Sequence, residues 1–262
     1  MALRRLDAEL VRRKLLPSRT AAQEAIAAGG VEVDGLVATK AATQVDDNAS
    51  IRLAPEPARF VSRGGLKLEA ALDTFGIAVT GRSAIDVGAS TGGFTDCLLQ
   101  RGAAAVAALD VGYGQIDWSI RTDPRVAVHE RINARHMDVA RIGGPFDVVV
   151  ADLSFISLRT VAPALASAGN ADADWVLLVK PQFEAGRGRV GKGGIVRDVA
   201  VRAEALRNVV ESFRELGLEC HGVADSPIQG AKGNREFLLW LRREPGDLVA
   251  GAFESLTGLA DA

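Results

Sequence analysis

"SAIDVGASTGGFTDCLLQRG", residues Ser83 to Gly102, opens on a short apolar run, breaks at glycines 88, 92 and 93, and closes in a helical pattern. Ser83 to Val87 predicts a strand, and Phe94 onward a helix that Gly102 stops. The alternation continues downstream. "AAVAALDVG", "VAVHERI", "FDVVVADLSF" and "WVLLVK" are apolar runs set between helical stretches, the longest from about Val199 to Leu216. Such runs predict strands buried on both faces, hence parallel βαβ units in a doubly wound α/β sheet. "LECHGVADSPI" and "REFLLWLRR" are joined only by "QGAKGN", which predicts an antiparallel hairpin at the sheet's edge. A helix from Leu66 to Phe75 precedes the first strand.

Ahead of this lies a smaller α+β block, residues 1–55. Leu6, Leu10, Leu15 and Leu16 give a helical face closed by Pro17. Ser18 or Thr20 can cap a second helix, and Gln23 stands three residues after Thr20, as in a capping box. Gly29 and Gly30 stop it. "VEVDGLVA" is a hairpin signal, and another short strand ends at Ile51–Leu53. About fifty residues bury little alone. "APEPARFVSRGG" supplies a linker, residues 56–65, stiffened by prolines, before the larger domain at 66–262.

The chain has 262 residues, 48% hydrophobic and 24% charged, with a net charge of −2. Global charge therefore gives no pointer to nucleic acid, but its distribution does. Six basic residues, Arg4, Arg5, Arg12, Arg13, Lys14 and Arg19, face only Asp7 and Glu9 in the first nineteen positions. A second cluster comprises Lys180, Arg187, Arg189, Lys192 and Arg197. Local patches of this kind bind phosphates. Cys97 and Cys220 are far apart and outside any metal-ligand spacing, so neither zinc nor a disulfide framework is expected. An apolar leader segment and a membrane-length apolar run are both missing, which leads us to expect a cytoplasmic protein, monomeric and without metal.

The loop "DVGASTGGF" (Asp86 to Phe94) departs from the dinucleotide fingerprint, because Ser90 stands where G-x-G-x-x-G has its second glycine. The Lys-Ser/Thr of a phosphate-binding loop is missing too. A ligand that needs close backbone approach but carries no phosphate fits better, and S-adenosylmethionine is such a ligand. Candidate contacts are Asp86, Gly88, Ser90, Thr91, Gly92, Gly93 and Phe94. Asp110 ends the next strand, about where an acid accepts ribose hydroxyls.

Several strands end in charge at the same edge. "WVLLVK" ends in Lys180, where a buried ammonium is costly without a partner. "DVVVAD" ends in Asp152, "GNREF" offers Glu236, and the helix after Gly64–Gly65 carries Lys67. Each has a plain alternative: Lys180 snorkelling to water, Lys67 solvated, Asp152 a helix cap, Glu236 a surface strand position. The four together point to one cleft.

The order Lys, Asp, Lys, Glu on this scaffold resembles the tetrad of FtsJ-type RNA ribose 2'-O-methyltransferases. "SRGGLKL", "DVGASTGGF", "ADLSFISL", "VKPQFE" and "KGNREF" resemble the TlyA-type branch, which also carries the name haemolysin. "RLDAELV", "SRTAAQEAI" and "GGVEVDGLV" are similar to an S4 RNA-binding domain, with Asp34 where S4 domains often have Asn. The resemblance implies a class I, Rossmann-like methyltransferase sheet behind an S4 domain. It implies S-adenosylmethionine as cofactor, and cytidine ribose in the RNA of ribosomal subunits as substrate. Lys180 would take up or stabilise the charge of the 2'-oxygen, Asp152 would hold Lys180, and Lys67 with Glu236 would orient the hydroxyl and the lysine. Arg4, Arg12, Arg13, Lys14 and Arg19 would contact RNA. Desolvation and Lys67 favour a neutral Lys180 amine, while Asp152 and Glu236 favour its ammonium, so base and cation both stay open.

Three other readings compete. A pore-forming cytolysin needs export and membrane-seeking segments. A ribosome-assembly factor with a dead methyltransferase domain sits badly with an intact tetrad. A nicotinamide oxidoreductase sits badly with Ser90 and with the lack of a Tyr-x-x-x-Lys pair. "ADLSF" lacks the Asn/Asp-Pro-Pro-aromatic loop of amino-methylating enzymes, and neither cysteine follows a proline as carbon-5 methylation of pyrimidines requires.

Overall fold

The computed structural model describes residues 3–27, 29–53, 58–186 and 188–246. The chain divides into two compact units, one ending at Arg59 and the other beginning at Phe60. Part of the expected linker, Arg187 and residues 247–262, where the sequence predicts a short terminal helix after Asp247, fall outside the described residues.

The first unit runs β1 (Arg4–Arg5), α1 (Leu6–Arg12), α2 (Arg19–Ala27), β2 (Val31–Val33), β3 (Leu36–Val37), β4 (Gln44–Val45) and β5 (Ile51–Leu53). Strand β1 pairs with β4, and β2 lies between β3 and β5. Asp34 and Gly35 both have positive φ, 52° and 81°, the backbone a two-residue hairpin demands. Leu6, Leu10, Ala22, Ile26, Val31 and Val45 close over one another as the core. The capping box is not formed. Ser18 Oγ accepts from the Ala21 amide instead, and Gln23 donates to the buried carboxylate of Asp7, 2.9 Å away.

The second unit contains α3 (Gly64–Phe75), β6 (Ser83–Val87), α4 (Gly93–Gln100), β7 (Ala105–Asp110), α5 (Trp118–Arg121), β8 (Val126–Glu130), β9 (Phe146–Ala151), α6 (Leu158–Ala168), β10 (Gly169–Val179), α7 (Pro181–Glu184), α8 (Val199–Arg214), β11 (Glu219–Asp225) and β12 (Phe237–Arg242). Seven strands form one sheet in the order β11-β12-β10-β9-β6-β7-β8. Strands β10, β9, β6, β7 and β8 run parallel to one another, and β12 runs antiparallel to both β10 and β11. Ile85 and Val87 pack on the face covered by α6 and α8, whereas Ala84 packs on the face covered by α3 and α4. That alternation is the period-2 signature of a strand.

One expectation shifts: helix α3 begins at Gly64, two residues before Leu66, inside the expected linker. The antiparallel hairpin forms at the sheet's edge as expected, with β11 outermost and β12 inside it. Phe237, Leu238, Leu239 and Leu241 are buried on both faces, which suits the inner strand.

Candidate active site

Parallel strands deliver their carboxyl ends to one edge of a sheet, and an antiparallel strand delivers its start there. Asp110, Asp152 and Lys180 end or follow β7, β9 and β10, while Glu236 immediately precedes β12, whose Phe237 pairs with Val179. Lys67 comes from the first turns of α3. The four tetrad candidates therefore meet at the edge that carries the glycine loop.

They meet as two ion pairs. Lys180 Nζ lies 2.5 Å from Asp152 Oδ1 and donates to Ser154 Oγ at 2.9 Å. Lys67 Nζ donates to Glu236 Oε2 at 2.5 Å. Lys180 is 8% exposed and Lys67 9%, so neither lysine snorkels into bulk water. Glu236 is likewise no surface residue, at 3%. One cavity of about 520 Å³ brings Lys67, Asp152, Ser154 and Lys180 together with Gly88 and Phe94. A neighbouring one of about 390 Å³ adds Glu236 beside both lysines. A third, of about 440 Å³, extends from Gly88 and Ser90 past Asp110 to Asn133 and Phe155.

The glycine loop is fixed from below. Gly88 has φ +89°, and a Cβ there would stand 2.7 Å from the Asp152 carbonyl oxygen. Ser90 adopts φ +51°, so it takes up the left-handed backbone usual for glycine. Asp110 accepts from the Ser90 amide at 2.8 Å and from the Gly112 amide at 2.6 Å. Its carboxylate thus ties two cavity loops together and keeps further lone pairs for a ligand.

Gly88, Ser90, Thr91, Gly93 and Phe94 line the first cavity. Two candidate cofactor contacts do not reach any of the three. Gly92 turns the chain, with φ +95°, against Ile120. Asp86 is fully buried beneath the loop, because its position on β6 points at α4. Its Oδ2 accepts from the amide and hydroxyl of Thr95, at 2.9 and 2.7 Å, and its Oδ1 has no hydrogen-bond partner among the described residues. Burial pushes the Asp86 carboxyl up to about 7, against the pull of Thr95. Asp86 therefore braces the loop.

The basic residues of the first unit are mostly engaged within it. Arg12 and Arg13 bind Glu9, Arg19 and Arg5 bind Asp7, and Arg4 and Arg12 bind Asp47. Arg13 also donates to the carbonyls of Asp46, Asp47 and Ala49. Hydrogen bonds from Arg12, together with those of Arg13, hold the buried Glu9 carboxyl down at about 2, and Arg5 above all holds Asp7 well below the usual carboxylate range. Lys14 is exposed and forms no ion pair with the described residues.

Ser154 and Glu184 escaped the sequence reading. Ser154 lies in the loop after β9 and Glu184 ends the one-turn helix α7, and no periodicity marks either.

A model of FtsJ-like methyltransferases matches residues 60–243, and a model of the S4 domain matches residues 4–51. The chain belongs to the FtsJ-like methyltransferase family. The methyltransferase is 53% identical to the 16S/23S rRNA (cytidine-2'-O)-methyltransferase TlyA of Mycobacterium tuberculosis, over 98% of this chain and 95% of the relative. It is 43% identical to hemolysin A of Brachyspira hyodysenteriae, over 89% of this chain and 98% of the relative. A solved structure of a hemolysin-named protein from Streptococcus thermophilus superimposes with a TM-score of 0.74 at 38% identity, over 100% of this chain and 96% of that one. The hemolysin name thus travels with the same two-part chain. Among the described residues, no helix of the methyltransferase is long and apolar enough to cross a membrane, and no group of three or more His, Cys, Asp or Glu could hold a metal.

Proposed function

We propose that this chain transfers a methyl group from S-adenosylmethionine to the ribose 2'-oxygen of cytidine in ribosomal RNA. The observation that carries the reading is Lys180, buried at a strand end, held by Asp152 and Ser154, in a cavity it shares with the glycine loop. A TlyA relative at 53% identity, named for cytidine 2'-O-methylation, supports the substrate.

The donor set suits the cofactor. Gly88 leaves room that a Cβ would fill, and Asp110 offers free acceptor positions to ribose hydroxyls. When bound there, S-adenosylmethionine supplies an already activated methyl group. What remains for the protein is alignment and an oxygen nucleophile. A ribose hydroxyl is a poor nucleophile and needs a positioned base or cation. Lys180 meets it and takes up or stabilises the charge that develops on the oxygen. Asp152 and Ser154 fix the amine, and the Lys67–Glu236 pair borders the same space and orients the hydroxyl.

The S4-like unit acts as an RNA-binding domain, with the exposed Lys14 and the paired arginines contributing a shared, partly neutralised surface. The substrate places the enzyme in the cytoplasm, with ribosomal subunits as partners. The test is to incubate ribosomal subunits with the protein and S-adenosylmethionine labelled at the methyl, digest the RNA and locate the label. Label on cytidine ribose supports the reading. Label on a base, or on ribosomal protein, overturns it.

A further inference from the structure

Two loops leave adjacent parallel strands and carry opposite halves of one ion pair. The loop after β9 brings Asp152 and Ser154, and the turn after β10 brings Lys180. Farther out, Ser157 caps α6 and Glu184 ends α7. Glu184 reaches across between them. Its Oε2 accepts from Ser157 Oγ at 2.5 Å, and its Oε1 accepts from the Leu158 amide at 2.7 Å. It is 7% exposed and has no ion pair among the described residues.

A carboxylate buried without a directly paired cation is expensive, and an apolar side chain would fill the volume more cheaply. Burial pushes the Glu184 carboxyl above its usual range, and the Ser157 and Leu158 donors, with the more distant charge of Arg159, oppose that. What the carboxylate does that an apolar group could not is join two loops at a fixed spacing. The Leu158 amide is one of the donors an α-helix leaves unsatisfied at its start, so the acid also complements the α6 dipole. Phe155, midway along the first loop, holds φ +65° although it is 92% exposed. Its ring also leans on Phe183, with centroids 5.4 Å apart.

We propose that Glu184 is a positioning residue for methyl transfer: its carboxylate clamps the loop carrying Asp152 and Ser154 to the turn carrying Lys180. The clamp sets where the lysine amine stands without touching the RNA. This rests on the function proposed above.

The experiment is single-turnover transfer of labelled methyl to ribosomal subunits by the full chain, with Glu184→Ala, Glu184→Gln and Ser157→Ala. Small misplacements in an active site cost up to about 10²-fold. Glu184→Ala is expected to slow transfer by roughly 10- to 10²-fold while half-saturation with subunits stays within about twofold. Glu184→Gln, which keeps an acceptor for the Leu158 amide, is expected to recover much of the rate, and Ser157→Ala to fall between. Hydrogen exchange over residues 152–158, read without turnover, should quicken in Glu184→Ala and far less in Glu184→Gln. Should the alanine variant not fold, the glutamine and serine variants decide alone. Wild-type transfer rates, unchanged exchange, or a loss confined to half-saturation overturns the clamp. A wild-type protein that transfers no methyl overturns the proposed function, while the exchange data still decide the clamp.

Discussion

Asp86 and Asp110 are two strand-end carboxylates with different work. Asp110 faces a cavity and holds the backbone of Ser90 and Gly112. Asp110→Ala should weaken S-adenosylmethionine binding by about ten-fold or more, since hydrogen bonds to charged groups contribute about 1.5–3 kcal/mol. Calorimetry decides this, and unchanged affinity would remove Asp110 from the cofactor site. Asp86 is buried with one oxygen orphaned, its folded carboxyl raised from 3.8 to about 7. Between those values the folded state keeps a proton that the unfolded chain has released. Stability therefore falls as pH rises from about 4 to about 7. Asp86→Asn keeps an acceptor for Thr95 and should abolish that part of the slope in urea midpoints measured against pH. Identical slopes in variant and wild type would contradict it. Residue types and spacing made both acids visible in the sequence. Their direction was not, because a one-residue step along or past a strand decides whether a side chain meets a helix or a cavity.

At the scale of elements, α1 is pinned by buried acids that collect arginines. Glu9 and Asp7, both without exposed surface, bind five of the basic residues that read in sequence as an RNA patch. Their carboxyls are held low, so the stability they supply is present above the ordinary carboxylate range, near 4.5 for Glu9, and is lost as pH falls toward about 2. Amide protection of α1 followed by NMR should drop over that interval, and Glu9→Gln should show the loss at neutral pH. Protection that persists in both would contradict the pairing. The basic cluster was legible from composition alone. Its neutralisation was not, since Arg12 to Asp47 and Arg19 to Asp7 are contacts between positions far apart in the chain. The order of strands and helices, by contrast, was legible almost throughout, because "DVVVAD" and "WVLLVK" are apolar on both faces. The edge hairpin was legible too, because its short connection fixes antiparallel pairing, while that connection leaves open which of the two strands meets the rest of the sheet.

At the scale of the whole molecule, the chain combines an S4-like unit with a methyltransferase unit. A protein beginning at Phe60 should keep S-adenosylmethionine affinity, lose most of its affinity for ribosomal RNA, and lose the steep salt dependence that counterion release gives. RNA affinity unaffected by the deletion would leave the S4-like unit without a role in recognition. Chemistry stays with the second unit, where two lysines and two carboxylates from α3, β9, β10 and β12 close on one edge of the sheet. The most direct measurement is single-turnover methyl transfer to ribosomal subunits by Lys180→Ala, Asp152→Ala and the double variant. Each single variant is expected to fold, bind cofactor and RNA, and lose about 10²-fold or more in rate. The double variant should lose little further, because residues acting as one unit are not additive. Full activity in Lys180→Ala would contradict the mechanism and make the buried lysine a structural residue only.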